Sequence, residues 1–89
     1  MKNRYLEVTF RNGRPIAAYL YLPRNPGDVS ARTEKREAGL LIDFAGDGRA
    51  IGIEITAPSQ LSLVALNRVL AEVHQAPADS AELAPLVAA

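Results

Sequence analysis

Apolar and polar positions alternate over the first two-thirds of the chain and then switch to a helical period. In the stretch 5–11, Leu6, Val8 and Phe10 fall on one face and Tyr5, Glu7, Thr9 and Arg11 on the other, as in a half-buried β-strand. A second strand follows at Ile16 to Leu22, with Asn12-Gly13 as a hairpin signal between the two. A strict two-residue turn would set Val8 opposite Ala17 and Leu6 opposite Tyr19, mixing the two faces. A three-residue loop with Gly13 as the left-handed bulge residue shifts the register by one and gathers Ile16, Ala18, Leu20 and Leu22 beside Leu6, Val8 and Phe10. The pattern favours that bulged turn, with Pro15 at the start of the strand, where no ladder donor is needed.

The strongest alternation flanks Gly46-Asp47-Gly48. Leu40, Ile42 and Phe44 share one face of the preceding strand, and Ile51, Ile53 and Ile55 one face of the following strand. A two-residue Asp47-Gly48 loop pairs Phe44 with Ile51 and Ile42 with Ile53, and a bulged turn around Gly46 is the alternative. On the far face Glu54 then lies opposite Leu41, and Asp43 opposite Gly52. Between the hairpins, Pro23 to Asp28 is a turn-rich break. The charged stretch 29–37 reads as an exposed edge strand, its charges guarding against stray pairing, or as a short charged helix. Ala38-Gly39 turns into the central hairpin.

After Pro58 the period changes. Ser59 or Ser62 can cap a helix running to about His74, whose apolar stripe is Leu63, Leu66, Val69, Leu70 and Val73. Beyond Pro77, Asp79-Ser80-Ala81-Glu82 has the spacing of a helix start, and Leu83, Leu86 and Val87 can dock or fray. The expected fold is α+β: an antiparallel meander of four or five strands with one main C-terminal helix across one face. Residues 1–76 form one sheet-plus-helix domain, and 77–89 a short extension that includes the brief helix.

Composition narrows the chemistry. The chain has 89 residues, ten basic and ten acidic, and no cysteine. Thiol nucleophiles, disulfides and zinc–thiolate sites are therefore ruled out. The zero net charge lacks the basic excess of a nucleic-acid binder, and no polybasic cluster suits a membrane surface. No apolar run approaches a membrane span, and the charged start lacks the apolar core of a signal peptide, so a cytoplasmic protein is expected.

His74, the single histidine, belongs near the helix end, where a cation favours the dipole. A helix of about twelve residues separates it from Ser59 and Ser62 by roughly 18 Å, too far for a triad within one chain. Asp43 and Glu54 are the most site-like pair, with Arg32 and Glu7 as neighbours on the far face; ordinary cross-strand charge pairing on a solvent-facing sheet is the preferred account of them. That face also carries Tyr5, Tyr19, Tyr21 and Leu41. Tyrosine combines contact area with a hydrogen-bonding tip and is enriched in interfaces. The residues thus point to a non-catalytic interaction surface of Tyr5, Tyr19, Tyr21, Leu41, Asp43, Glu54 and Arg32, for a second copy or a small protein partner. The alternative is a small ligand-binding protein or enzyme that uses Asp43, Glu54 and Arg32. No cofactor is implied.

Gly39-Leu-Leu-Ile-Asp-Phe with Asp47-Gly-Arg-Ala-Ile-Gly-Ile-Glu-Ile resembles the "GxxxDYDxxGxxxGIEIL" core of a small bacterial family, domain of unknown function 2283. Ala18-Tyr19-Leu20-Tyr21-Leu22 resembles that family's "ALYIxL" strand, and Leu66 to Leu70 a helix seen in some members, so the resemblance covers 5–74. The first turn departs from it, with Arg-Asn-Gly-Arg-Pro replacing an acidic, alanine-containing stretch. The resemblance implies the fold and no reaction; an association of members with toxin–antitoxin-like gene pairs implies a small protein partner.

Overall fold

The computed structural model describes residues 3–37 and 39–87, so Ala38 of the turn expected before the central hairpin, and the side chain of Val87, lie outside the described residues. Five strands, β1 (Tyr5–Arg11), β2 (Arg14–Tyr21), β3 (Arg32–Lys35), β4 (Leu40–Phe44) and β5 (Ala50–Ile55), precede a 3₁₀ turn at Pro58–Gln60. The helices α1 (Leu63–Glu72) and α2 (Ala84–Val87) follow. All pairings are antiparallel, in the order β1-β2-β5-β4-β3. The fold is α+β, and its meander is broken once, where the chain leaves β2 for the opposite edge and returns through β4 to pair β5 with β2.

That crossover is held by a tight turn and an ion pair. Asn25-Pro26-Gly27-Asp28 closes with the Asp28 N–H donating to the Asn25 carbonyl at 3.1 Å. Gly27 has φ +85°, as the third position of a type II turn requires. The Arg49 guanidinium, from the β4–β5 turn, donates to both Asp28 carboxylate oxygens at 2.8 and 3.0 Å. Arg49 holds the Asp28 carboxyl below the usual carboxylate range.

Both hairpins keep the expected register in their bodies and place their irregularities elsewhere. In the first, Leu6 pairs with Leu20 and Val8 with Ala18, but Arg11 pairs with Arg14 across a two-residue turn. Asn12 and Gly13 have φ +52° and +76°, the two positive values of a type I′ turn. The one-residue shift comes at Ile16, which bulges between Pro15 and Ala17, next to a proline that cannot donate to the ladder. Phe10 and Ile16 stay about half exposed, at 50% and 46%, rather than joining the core. In the second hairpin Ile42 faces Ile53, yet Phe44 pairs with Ala50, not Ile51. The Ala45 N–H donates to the Arg49 carbonyl at 2.8 Å and the Gly48 N–H to the Ala45 carbonyl at 2.9 Å. Gly48 takes φ +93°, so the loop is the bulged three-residue form. Ile51 becomes the extra residue of a second bulge, and its carbonyl accepts from the Leu22 N–H and the Arg24 guanidinium.

The stretch 29–37 is strand at Arg32–Lys35. Arg32 and Arg36 both pair with Glu34, Arg36 also with Glu72 of α1, and Arg68 of α1 with Glu37. This charged ladder guards the β3 edge.

Helix α1 is capped by Ser62, whose hydroxyl accepts from the Ala65 N–H at 3.2 Å; Ser59 belongs to the preceding 3₁₀ turn. Leu66, Val69 and Leu70 are fully buried against Leu20, Ile42, Ile53 and Ile55, while Val73 lies at the margin of that cluster and Leu63 is 38% exposed. The helix ends as a Schellman motif: the Gln75 N–H donates to the Leu70 carbonyl at 2.9 Å and the His74 N–H to that of Ala71 at 3.1 Å. His74 is the left-handed residue, with φ +61°, and so lies one step past the last helical turn in which the sequence pattern places it. A side chain there costs about 1 kcal/mol relative to glycine. His74→Gly should therefore raise stability by about 0.5–1 kcal/mol in urea unfolding; an unchanged or lower midpoint would contradict this.

The C-terminal segment docks. Ala78, Leu83 and Leu86 belong to the core. Asn67 of α1 grips the backbone of Ala78 in both directions, accepting from its N–H at 2.7 Å and donating to its carbonyl at 3.2 Å. Asp79 caps the next turn by accepting from the Glu82 N–H. Glu82 itself forms a two-pronged pair with Arg4 at 2.9 and 3.1 Å, and Arg4 also donates to the Ala76 and Pro77 carbonyls.

Candidate functional site

The helices cover one face of the sheet, and the tyrosines lie on the other. Register sets the rows of that far face: Tyr5–Tyr21–Gly52–Asp43–Thr33 and Glu7–Tyr19–Glu54–Leu41–Lys35. Side chains of the first row, joined by Tyr19, form one chain of contacts across all five strands. Tyr5 stacks on Tyr21 with ring centroids 4.5 Å apart, and Tyr21 meets Tyr19 edge-on at 4.7 Å. Tyr19 crosses β5 above Gly52, and its hydroxyl donates to the Asp43 carboxylate at 2.7 Å. Thr33 donates to the other Asp43 oxygen at 2.5 Å. Gly52 is what permits the crossing, since a Cβ there would stand 2.0 Å from the Tyr19 hydroxyl oxygen. At the margin the Arg24 guanidinium lies 5.0 Å from the Tyr21 ring centroid, a cation–π contact. Tyr21 also donates to Glu7 at 3.4 Å.

This arrangement brings together Tyr5, Tyr19, Tyr21, Leu41, Asp43 and Glu54, and separates Arg32 from them. Arg32 pairs with Phe44 in register and its guanidinium lies 4.2 Å from the Phe44 ring centroid, on the helix side. A register one residue away would have put it beside Asp43; Thr33 occupies that position. Thr33 was not singled out from sequence, because a lone threonine in a charged run carries no signal until its partner strand is in register. Arg4 was missed for a similar reason: its partner Glu82 is 78 residues away along the chain.

Both Asp43 oxygens accept hydroxyl hydrogen bonds, so the carboxylate acts as a fixed acceptor. Among the described residues no three His, Cys, Asp or Glu side chains gather as a metal site, and no helix is long and apolar enough to cross a membrane. Burial, then the bond to Asp43, pushes the Tyr19 hydroxyl from 10.0 up to about 12. Burial, then Glu7, also raises Tyr21.

The folded value for Tyr19 lies above the unfolded one. Its contribution to stability is therefore full below pH 10 and lost as the pH climbs to about 12. An alkaline titration followed by phenolate absorbance should show a tyrosine ionising about two units late, together with a falling melting midpoint over that window. Three tyrosines titrating together near 10 would contradict the Tyr19–Asp43 bond.

No family model matches the chain, and the comparisons with curated proteins and with solved structures likewise give no match.

Proposed function

We propose that the protein is a non-catalytic interaction module, bacterial and cytoplasmic, that docks another polypeptide on the tyrosine side of its sheet. The observation that supports this reading is the transverse chain of contacts from Tyr5 to Thr33. It holds amphipathic rings in fixed positions on a face that none of the described helices covers. Rigid tyrosines give contact area at little entropic cost, and Leu41 and Glu54 supply an apolar and a charged neighbour. The resemblance to domain of unknown function 2283 is proposed with it, since the Asp43, Gly52 and Glu54 positions of the motif all fall on this side of the sheet.

The test is capture from the producing cells with the full chain as bait. Tyr21→Ser combined with Leu41→Lys should lose the bound protein, while Arg68→Ala on the helix side should keep it. Equal capture by all three baits would overturn the reading.

A further inference from the structure

The two edges of the sheet are treated differently. β3 is four residues long, and three of the four are charged. β1 is seven residues long, carries no proline, and has exposed aromatic residues near both ends, Tyr5 at 48% and Phe10 at 50%. A long edge strand with apolar residues at alternate positions offers unpaired backbone groups to another chain.

The direction of those groups follows from the ladder. The Leu22 N–H donates to β5 at Ile51, so by alternation the backbone groups of Tyr21 and Tyr19 point to β1. Their partners Tyr5 and Glu7 therefore point inward, and Leu6, Val8 and Phe10 point outward. The bulge residue Ile16 is on β2, which leaves β1 continuous. The residues with free backbone groups are thus also those with apolar side chains on the helix side, where Leu6 and Val8 are only half-buried.

We propose that two copies of the chain pair antiparallel along β1 about a two-fold axis at Val8, forming one ten-stranded sheet. This goes beyond the docking face, which stays open on both copies from Tyr21 to Thr33. In this register Val8 meets its own copy and Leu6 meets Phe10 of the second copy, through the outward backbone groups of all three residues. On the far face Tyr5 meets Arg11, a ring and a cation, and Glu7 meets Thr9. Sliding the axis to Glu7 would oppose two like charges directly. Sliding it to Thr9 would carry Leu6 past the end of the strand and lose its pairing.

The chain has no cysteine, so a single introduced thiol reports the register. Across a hydrogen-bonded antiparallel pair the Cα atoms are about 5.5 Å apart, within disulfide reach. Val8→Cys, a smaller apolar residue at a half-buried position, should oxidise readily to a covalent dimer. Glu7→Cys and Thr9→Cys, each two positions out of register with its copy, should cross-link far more slowly. In sedimentation the parent should be dimeric, Phe10→Lys should weaken the dimer roughly tenfold or more, and Tyr21→Ser with Leu41→Lys should leave it intact. A monomeric parent, or a dimer that survives Phe10→Lys without cross-linking at Val8→Cys, overturns the proposal and leaves the docking face to its own capture test. Dimerisation through β1 with capture unaffected by the face variants would sink the other reading instead.

Discussion

Leu66→Ala should destabilise the protein by about 2–5 kcal/mol. Leu66 is fully buried at the centre of α1, where the helix stripe meets Leu20, Ile42, Ile53 and Ile55 of the sheet. Truncation removes the burial of three carbons and leaves a cavity that neighbours on two rigid layers cannot close. A chain this short has a total stability of about 4–13 kcal/mol, so the loss is a large fraction of the whole. A loss of about 3 kcal/mol lowers the melting midpoint by roughly 12–24 °C. Leu63→Ala is the internal comparison: Leu63 begins the same helix but is 38% exposed, and its loss should be about 1 kcal/mol or less. Equal midpoints for the two variants would contradict the packing of α1 on the sheet.

Gly52→Ala should cost about 2–3 kcal/mol, more than a methyl group on an outward strand position ordinarily would. The new Cβ would stand 2.0 Å from the Tyr19 hydroxyl oxygen and 2.2 Å from the ring carbon that bears it, so the ring must leave its path over β5. Its bond to Asp43 goes with it, and that bond is charge-assisted. Two measurements make the argument specific. The late-titrating tyrosine should return toward its ordinary value. In a Tyr19→Ala background, Gly52→Ala should cost almost nothing, giving a coupling energy close to the whole single-variant effect. Additive losses would show that the glycine serves the backbone instead of the crossing.

These two residues also show what could be seen in advance. Leu66 was legible because a helical stripe and an alternating sheet face are long, periodic signals that agree with each other. Ile42 opposite Ile53 was legible for the same reason. The bulges were not, because each depends on a single local balance. At Pro15 a missing donor moves the irregularity out of the turn and into β2, and at Gly46-Asp47-Gly48 two turn types serve the same residues. The tyrosine face was visible as alternation, but the links across it were not. That Asp43 takes its second hydroxyl from Thr33, and that Arg32 goes to Phe44, depends on a one-residue choice of register in a strand whose own pattern is weak. Gly52 looked merely small in sequence; its purpose depends on a ring two strand positions away on β2.

The latch between Arg4 and Glu82 has a consequence for how the molecule is made. The residue before β1 finds its carboxylate partner 78 residues later along the chain, and Ala78, Leu83 and Leu86 complete the apolar cluster. During synthesis the N-terminal hairpin leaves the ribosome long before the segment that completes its cover. Until that segment emerges, the apolar cluster that Leu6 and Val8 border lacks Ala78, Leu83 and Leu86. The interval is one in which a nascent chain is prone to meet its neighbours on the same polysome, and its length is set by translation and not by folding.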